Sequence, residues 1–135
     1  MVDVPQVGDE IASFTRTTDF AIWNRYAAVN DEFIPIHMDD EAGRAAGQSG
    51  AFGMGNLQVS YLHNLLRQWL GPDGVILGLT CQFRAINSKG MVVTARGRVV
   101  EIEQDAGPVV VRLEVWTEDQ NGTRLAPGTA RVALA

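Results

Sequence analysis

A second cysteine is missing. The chain carries only Cys81, so no internal disulfide can form, and a reducing compartment, the cytoplasm, is expected. No apolar run approaches the roughly 18 continuous residues of a membrane helix, so no membrane partner is expected. Positive charge is scarce: eleven Lys and Arg against sixteen Asp and Glu give −5 at pH 7. With no basic run, a nucleic-acid partner is not expected. A small anionic ligand stays compatible, because a few arginines or a helix N-terminus can hold one. The first residues, Met1 to Gln6, lack the basic and apolar regions of a signal peptide. There is no Gly-rich phosphate loop, no nucleophile elbow and no metal-spaced cluster, so neither a metal nor a redox cofactor is expected. No repeat, low-complexity tract or linker divides the chain, and residues 1–135 are expected to form one domain with a sizeable core.

What the chain does have is a long amphipathic stretch from Gly53 to Gly71. Leu57, Tyr61, Leu62, Leu65, Leu66, Trp69 and Leu70 recur at spacings of three and four, the period of a helix with one apolar face. Gly53 and Gly55 open it, and Gly71-Pro72 closes it. Val59 widens the stripe, so the helix is expected to be wrapped on most sides.

Before it, Glu10 to Thr17 alternates as a strand, and Thr18-Asp19 offers an N-cap for a helix to about Val29. Phe20, Trp23, Tyr26 and Ala27 share its apolar face. Pro35 forces an extended backbone at Ile34, so residues 32–40 read as a turn or loop. Asp39 or Asp40 can cap a brief helical turn through Ala46, ended by Gly47. After Pro72-Asp73-Gly74, four β-branched stretches (75–86, 91–103, 109–118 and 124–134) are separated by Gly-, Asn- and Pro-containing turns. Short links favour an antiparallel meander. Pro127 suggests an edge position or a bulge. The class is α+β: about five antiparallel strands around one long helix.

Two places suit chemistry. Asp31, Glu32, His37, Asp39 and Asp40 crowd one loop; a histidine titrates near neutral pH, and a carboxylate can orient it or act as the base. The alternative is that these are solvated charges and helix caps. The second place is the glycine pair at the helix start, where unpaired N–H groups and a partial positive charge suit a carbonyl oxygen gaining charge. Its alternative is plain capping and close packing. His63 reads as structural or half exposed, Tyr61 and Trp69 as core, and Cys81 as an inert strand residue.

Taken together, the two stretches resemble the MaoC-like family of hot-dog-fold hydratases and dehydratases. The family's loop reads roughly Tyr-Ala-x-x-x-Gly-Asp-Phe-Asn-Pro-Ile-His-x-Asp, and Tyr26 to Asp39 lies on it without a gap. Gly50 to Leu57 occupies the place of the family's Gly-x-x-x-His-Gly-Met-Leu, and Phe83-Arg84, Gly90 and Pro127 to Ala130 also match. The resemblance implies a hot-dog fold, a sheet curled around the central helix and paired in a dimer. It implies reversible hydration of trans-2-enoyl thioesters of coenzyme A or acyl carrier protein to 3-hydroxyacyl thioesters, of R configuration. His37 matches the catalytic histidine, and Glu32 stands at the catalytic aspartate. Gly55 matches the glycine whose N–H polarises the thioester carbonyl, with Ser60 and Asn56 in supporting positions. Asp31, one residue earlier, competes for the carboxylate role.

The chain departs from the pattern at Glu32, where a methylene is added, at Ile34, where an Asn is lost, and at Met54 and Asn56, where His and Met are lost. A carboxylate moved by about 1 Å can lower a rate roughly 100-fold where geometry is critical. The departures motivate a second reading, a non-catalytic hot-dog subunit shaping the acyl pocket of a heteromer. An acyl-CoA thioesterase is a third.

Overall fold

In the computed structural model, which describes residues 3–135, strand β1 (Phe14–Thr17) leads into helix α1 (Phe20–Asn30). Two short helical segments follow, α2 (Pro35–Met38) and α3 (Asp40–Ala45), and then the long helix α4 (Gly55–Leu70). Four strands complete the chain: β2 (Val75–Cys81), β3 (Val92–Glu103), β4 (Val110–Glu118) and β5 (Arg124–Ala133).

Helix α1 starts where the cap was expected. The Asp19 carboxylate accepts from the Ile22 N–H at 3.2 Å, satisfying one of the donors a helix start leaves over. The helix stops at Asp31, which is left-handed at φ 53°, a conformation short polar side chains tolerate. Trp23 and Ala27 on its inner face are fully buried.

Helix α4 is 16 residues long, about 24 Å at 1.5 Å per residue. Leu57, Tyr61, Leu62, Leu65, Leu66 and Leu70 are buried against the sheet, with Trp69 packed at the margin. The expectation of burial on most sides is corrected: His63, Asn64 and Gln68 form an exposed outer face. Their polar side chains keep that strip in water, so the helix is amphipathic rather than enclosed. Gly71 ends it at φ +71°, donating to the Arg67 carbonyl at 3.0 Å.

The five strands make one curled antiparallel sheet in the order β1-β3-β4-β5-β2. Strands β3 to β5 form the expected meander, but β2 does not join it beside β3. It pairs with β5 instead, because β2 ends at Cys81 and residues 82–91 carry the chain across to the other side. That crossing is tied to the start of α4: Gly53 N–H donates to the Asn87 carbonyl at 2.8 Å, and Phe52 bridges Ser88. The first strand is also shorter than expected; upstream of Phe14, Glu10 forms an isolated bridge with Arg98, flanked by backbone bonds from Gly8 to Val99 and from Ile11 to Gly97.

Pro127 is not on an edge strand, but the bulge alternative has a counterpart two residues earlier, where the β4–β5 register slips at Leu125 between Ala126 and Arg124. Pro127 sits in β5, between β4 and β2. A strand residue's N–H and C=O point to the same side. The Pro127 carbonyl accepts from Gln82 N–H at 2.9 Å, and β2 ends one residue earlier at Cys81 opposite Gly128. The missing donor therefore faces the segment just past the end of the β2 ladder.

The two sheet faces differ sharply. Val111, Leu113 and Val115 of β4 point inward and are buried. Arg112, Glu114 and Trp116 point outward, in a lattice of ion pairs. Glu114 takes Arg98 at 2.9 Å and Arg124 at 2.6 Å; Glu103 takes Arg131 at 3.1 Å and Arg112 at 3.3 Å. The arginine hydrogen bonds hold both carboxyls below the ordinary glutamate range, Arg124 contributing most at Glu114 and Arg131 at Glu103. Arg124 also lies 4.1 Å over the Trp116 ring, which shields that indole from water.

Candidate functional site

The segment 32–40 reads in sequence as non-helical, and Ile34 is indeed extended, at φ −93° and ψ 131°. Pro35, however, begins a single helical turn, α2. Proline suits a first helical position, where its missing N–H would have had no partner. This turn places His37 inward, with 6 % of its surface exposed. The backbone pairs with the far side of the loop, as Phe52 N–H donates to Ile36 O at 3.1 Å. His37 Nδ1 lies 2.6 Å from the Phe52 carbonyl oxygen, and the two rings meet edge to face at 5.7 Å. A carbonyl can only accept, so Nδ1 carries the proton, and Nε2 of the neutral ring presents a lone pair.

Asp39 and Asp40 serve the backbone. Asp39 caps α3 through the Glu41 N–H at 3.1 Å. Asp40 accepts from Ala51 N–H at 3.0 Å and pairs with Lys89 at 2.7 Å, tying residues 47–51 to the turn before β3. The Lys89 hydrogen bond, then that of Ala51, lowers the Asp40 pKa. A lowered folded value means that this tie contributes above the unfolded pKa of about 4 and fades as pH falls through the folded value. Asp40→Asn is therefore expected to lower the urea midpoint at pH 7. Its gap from the parent protein should narrow steadily in titrations run below pH 4. A gap of constant size across that range would remove the carboxylate from this role.

Gly55 is the first residue of α4, so its N–H has no intrahelical carbonyl to bond. The N-cap, Met54, supplies no side-chain cap. The two glycines are needed for different reasons. A Cβ on Gly53 would collide with the Asn87 side-chain amide, which is itself fixed by Trp23 Nε1–H donating to its Oδ1 at 3.1 Å. A Cβ on Gly55 would stand 2.7 Å from the Phe83 ring, whose side chain is 55 % exposed and has room to turn. Gly53→Ala is expected to destabilise by about 1–3 kcal/mol, the usual scale of overpacking, and Gly55→Ala by much less. Chemical denaturation of both variants checks this; equal losses would contradict the rigid-neighbour argument.

His37 and Gly55 line one cavity of about 260 Å³, together with Gln58, Phe83 and Asn87. Glu32 does not line it. Its N–H donates to Ala27 O at 3.0 Å, the residue is half-buried, and its carboxylate has no hydrogen bond or ion pair among the described residues. Asp31 is exposed at the end of α1. Asn56 is exposed on α4, and its carbonyl accepts from Ser60 Oγ at 3.2 Å. Ser60 also reaches Tyr26 Oη at 3.4 Å. It opens onto a separate hollow of about 510 Å³ bordered by Arg16, Arg25 and Tyr26. The larger hollow holds neither the imidazole nor the free amide, and the smaller one is lined by both.

Two cavity residues, Gln58 and Asn87, are absent from the sequence-based candidates. Asn87 reads as the first residue of a turn. Gln58 carried a usable signal: it lies four and seven residues before Leu62 and Leu65, on the buried stripe of α4.

No family model matches the sequence, and no curated protein matches it. Solved structures do. An (R)-hydratase from A. caviae involved in PHA biosynthesis superposes with a TM-score of 0.87 at 26 % identity, covering 97 % of this chain and 98 % of that one. A chain of the ChsH1-ChsH2 complex from Mycobacterium tuberculosis gives 0.86 at 16 %, covering 98 % and 100 %. A MaoC-like dehydratase from Rhodospirillum rubrum gives 0.80 at 22 %, covering 96 % and 92 %.

Proposed function

We propose that this chain, a MaoC-like hot-dog protein by its fold, is a hydro-lyase that reversibly adds water to trans-2-enoyl thioesters of coenzyme A or acyl carrier protein. The observation that carries the reading is one cavity shared by His37 and the first amide of α4. The thioester carbonyl would accept from Gly55 N–H, and the partial positive charge of the helix start would stabilise the oxygen as it becomes enolate-like. His37 Nε2 would take a proton from water as the water oxygen bonds to C3. The C2=C3 electron pair moves to C2 and the carbonyl, and the imidazolium returns its proton to C2. The Phe52 carbonyl at Nδ1 keeps the ring aimed throughout and steadies its positive charge. The resemblance gives the attacking water to Glu32, half-buried and without a side-chain partner among the described residues, which would have to turn toward the cavity to hold it. No metal or redox cofactor enters this chemistry, and a homodimer is the proposed assembly.

One observation favours a second reading. The carboxylate stands off the cavity in the single chain, as it would in a subunit that shapes an acyl pocket for a catalytic partner. Crotonyl-CoA separates the two. Loss of enone absorbance with the purified chain alone supports the hydratase. Inactivity alone, with activity restored by a second hot-dog chain, supports the subunit and overturns the first reading. Release of free thiol would instead indicate a thioesterase.

A further inference from the structure

The cavity wall holds a side chain that the water-addition chemistry does not use. Gln58 is 2 % exposed, and neither its Oε1 nor its Nε2 has a hydrogen-bond partner among the described residues. Asn87, 1 % exposed, lines the same cavity. Trp23 Nε1–H can only donate, so it fixes Asn87 Oδ1 toward the indole and leaves Nδ2, which has no partner among the described residues. An amide sealed from water without a partner is a standing penalty. A leucine at position 58 would continue the Leu62–Leu65 stripe and avoid it.

We propose that Gln58, with Asn87, selects acyl thioesters whose chain carries an uncharged oxygen, a hydroxyl or a keto group, beyond C3. This rests on the hydratase reading. Three positions in the geometry support it. Gln58 lies one turn into the helix from Gly55, about 4.5 Å along its axis, on the wall of the same cavity. It is buried, whereas the carrier arm must leave for solvent. The orphaned atoms comprise two donors and one acceptor, which complements a hydroxyl or a carbonyl. A carboxylate fits poorly, because Arg84, the cation at this cavity, is exposed and already engaged by Gln82 Oε1; the charge would be desolvated without a buried partner.

The test compares trans-2-hexenoyl-CoA with its 4-hydroxy, 5-hydroxy and 5-oxo derivatives, using the parent protein, Gln58→Leu and, should that variant misfold, Gln58→Met. The parent is expected to prefer at least one oxygenated substrate by roughly tenfold or more in kcat/KM. The variant should lose that preference while keeping or gaining turnover of hexenoyl-CoA. Absence of preference in the parent overturns the proposal, as does an equal loss on all four substrates, which would mark a merely structural glutamine. Calorimetric binding of the same four thioesters is read alongside. If nothing turns over but the oxygenated ligands bind more tightly in a Gln58-dependent way, the selectivity stands and the hydratase reading falls. If neither rates nor affinities discriminate, the selectivity is refuted.

Discussion

Replacing His37 by alanine is expected to lower kcat for enoyl-CoA hydration by two or more orders of magnitude. A positioned acid–base group contributes about 10² to 10⁴ in rate, and His37 is the histidine on the cavity. The alanine also leaves the Phe52 carbonyl without its 2.6 Å partner, and an orphaned buried acceptor costs about 1–3 kcal/mol. Reduced activity could therefore reflect a loosened loop. His37→Asn separates the causes. Its amide N–H can occupy the place of Nδ1 and keep the bond to Phe52, but nothing stands where Nε2 was. The asparagine variant is expected to melt close to the parent and to be as slow as the alanine one. Substantial turnover in His37→Asn would remove the imidazole from proton transfer.

Glu32→Gln is expected to cost turnover on the same scale, two or more orders of magnitude, with little change in KM. The exchange keeps the size and the acceptor oxygen and removes the negative charge that would hold and activate the attacking water. Since this side chain has no partner among the described residues, no structural bond is lost, and the melting temperature should hold. Asp31→Asn is the control. Asp31 is exposed and left-handed, a conformation asparagine accepts as readily, so stability and turnover should both stay near the parent values. A large loss in Asp31→Asn with none in Glu32→Gln would exchange the two assignments. Near-parental rates in both would leave the imidazole working without a carboxylate.

Much of this architecture was legible in the residues, and the illegible parts share a cause. Helix α4 announces itself because its leucines repeat at three and four and its end is marked by Gly71. Strands β3 to β5 are legible because turn residues separate them. The place of β2 is not, since strand order depends on where residues 82–91 travel, and no local pattern encodes that path. Pro127 misleads for the same reason: what admits it is the end of a neighbouring strand distant in sequence. At the site, the loop motif exposes His37 and the helix start exposes Gly55. Gln58 goes unnoticed because a single polar residue on a helix is ordinary until its face is known to be buried. Asn87 is hidden more deeply: its partners Gly53 and Trp23 are 34 and 64 residues away.

The charge lattice on the outside of the sheet restricts how copies of this protein can stack. Glu103 and Glu114 each serve two arginines, and all of these groups are at least partly hydrated. Sandwiching that plane under another chain would strip water from many ions at once, at a penalty that a flat contact seldom recovers. The lateral strand β2 bears no such fence, and Val75 and Leu77 stand open along it. Layering sheet upon sheet is thereby discouraged by the molecule's own surface.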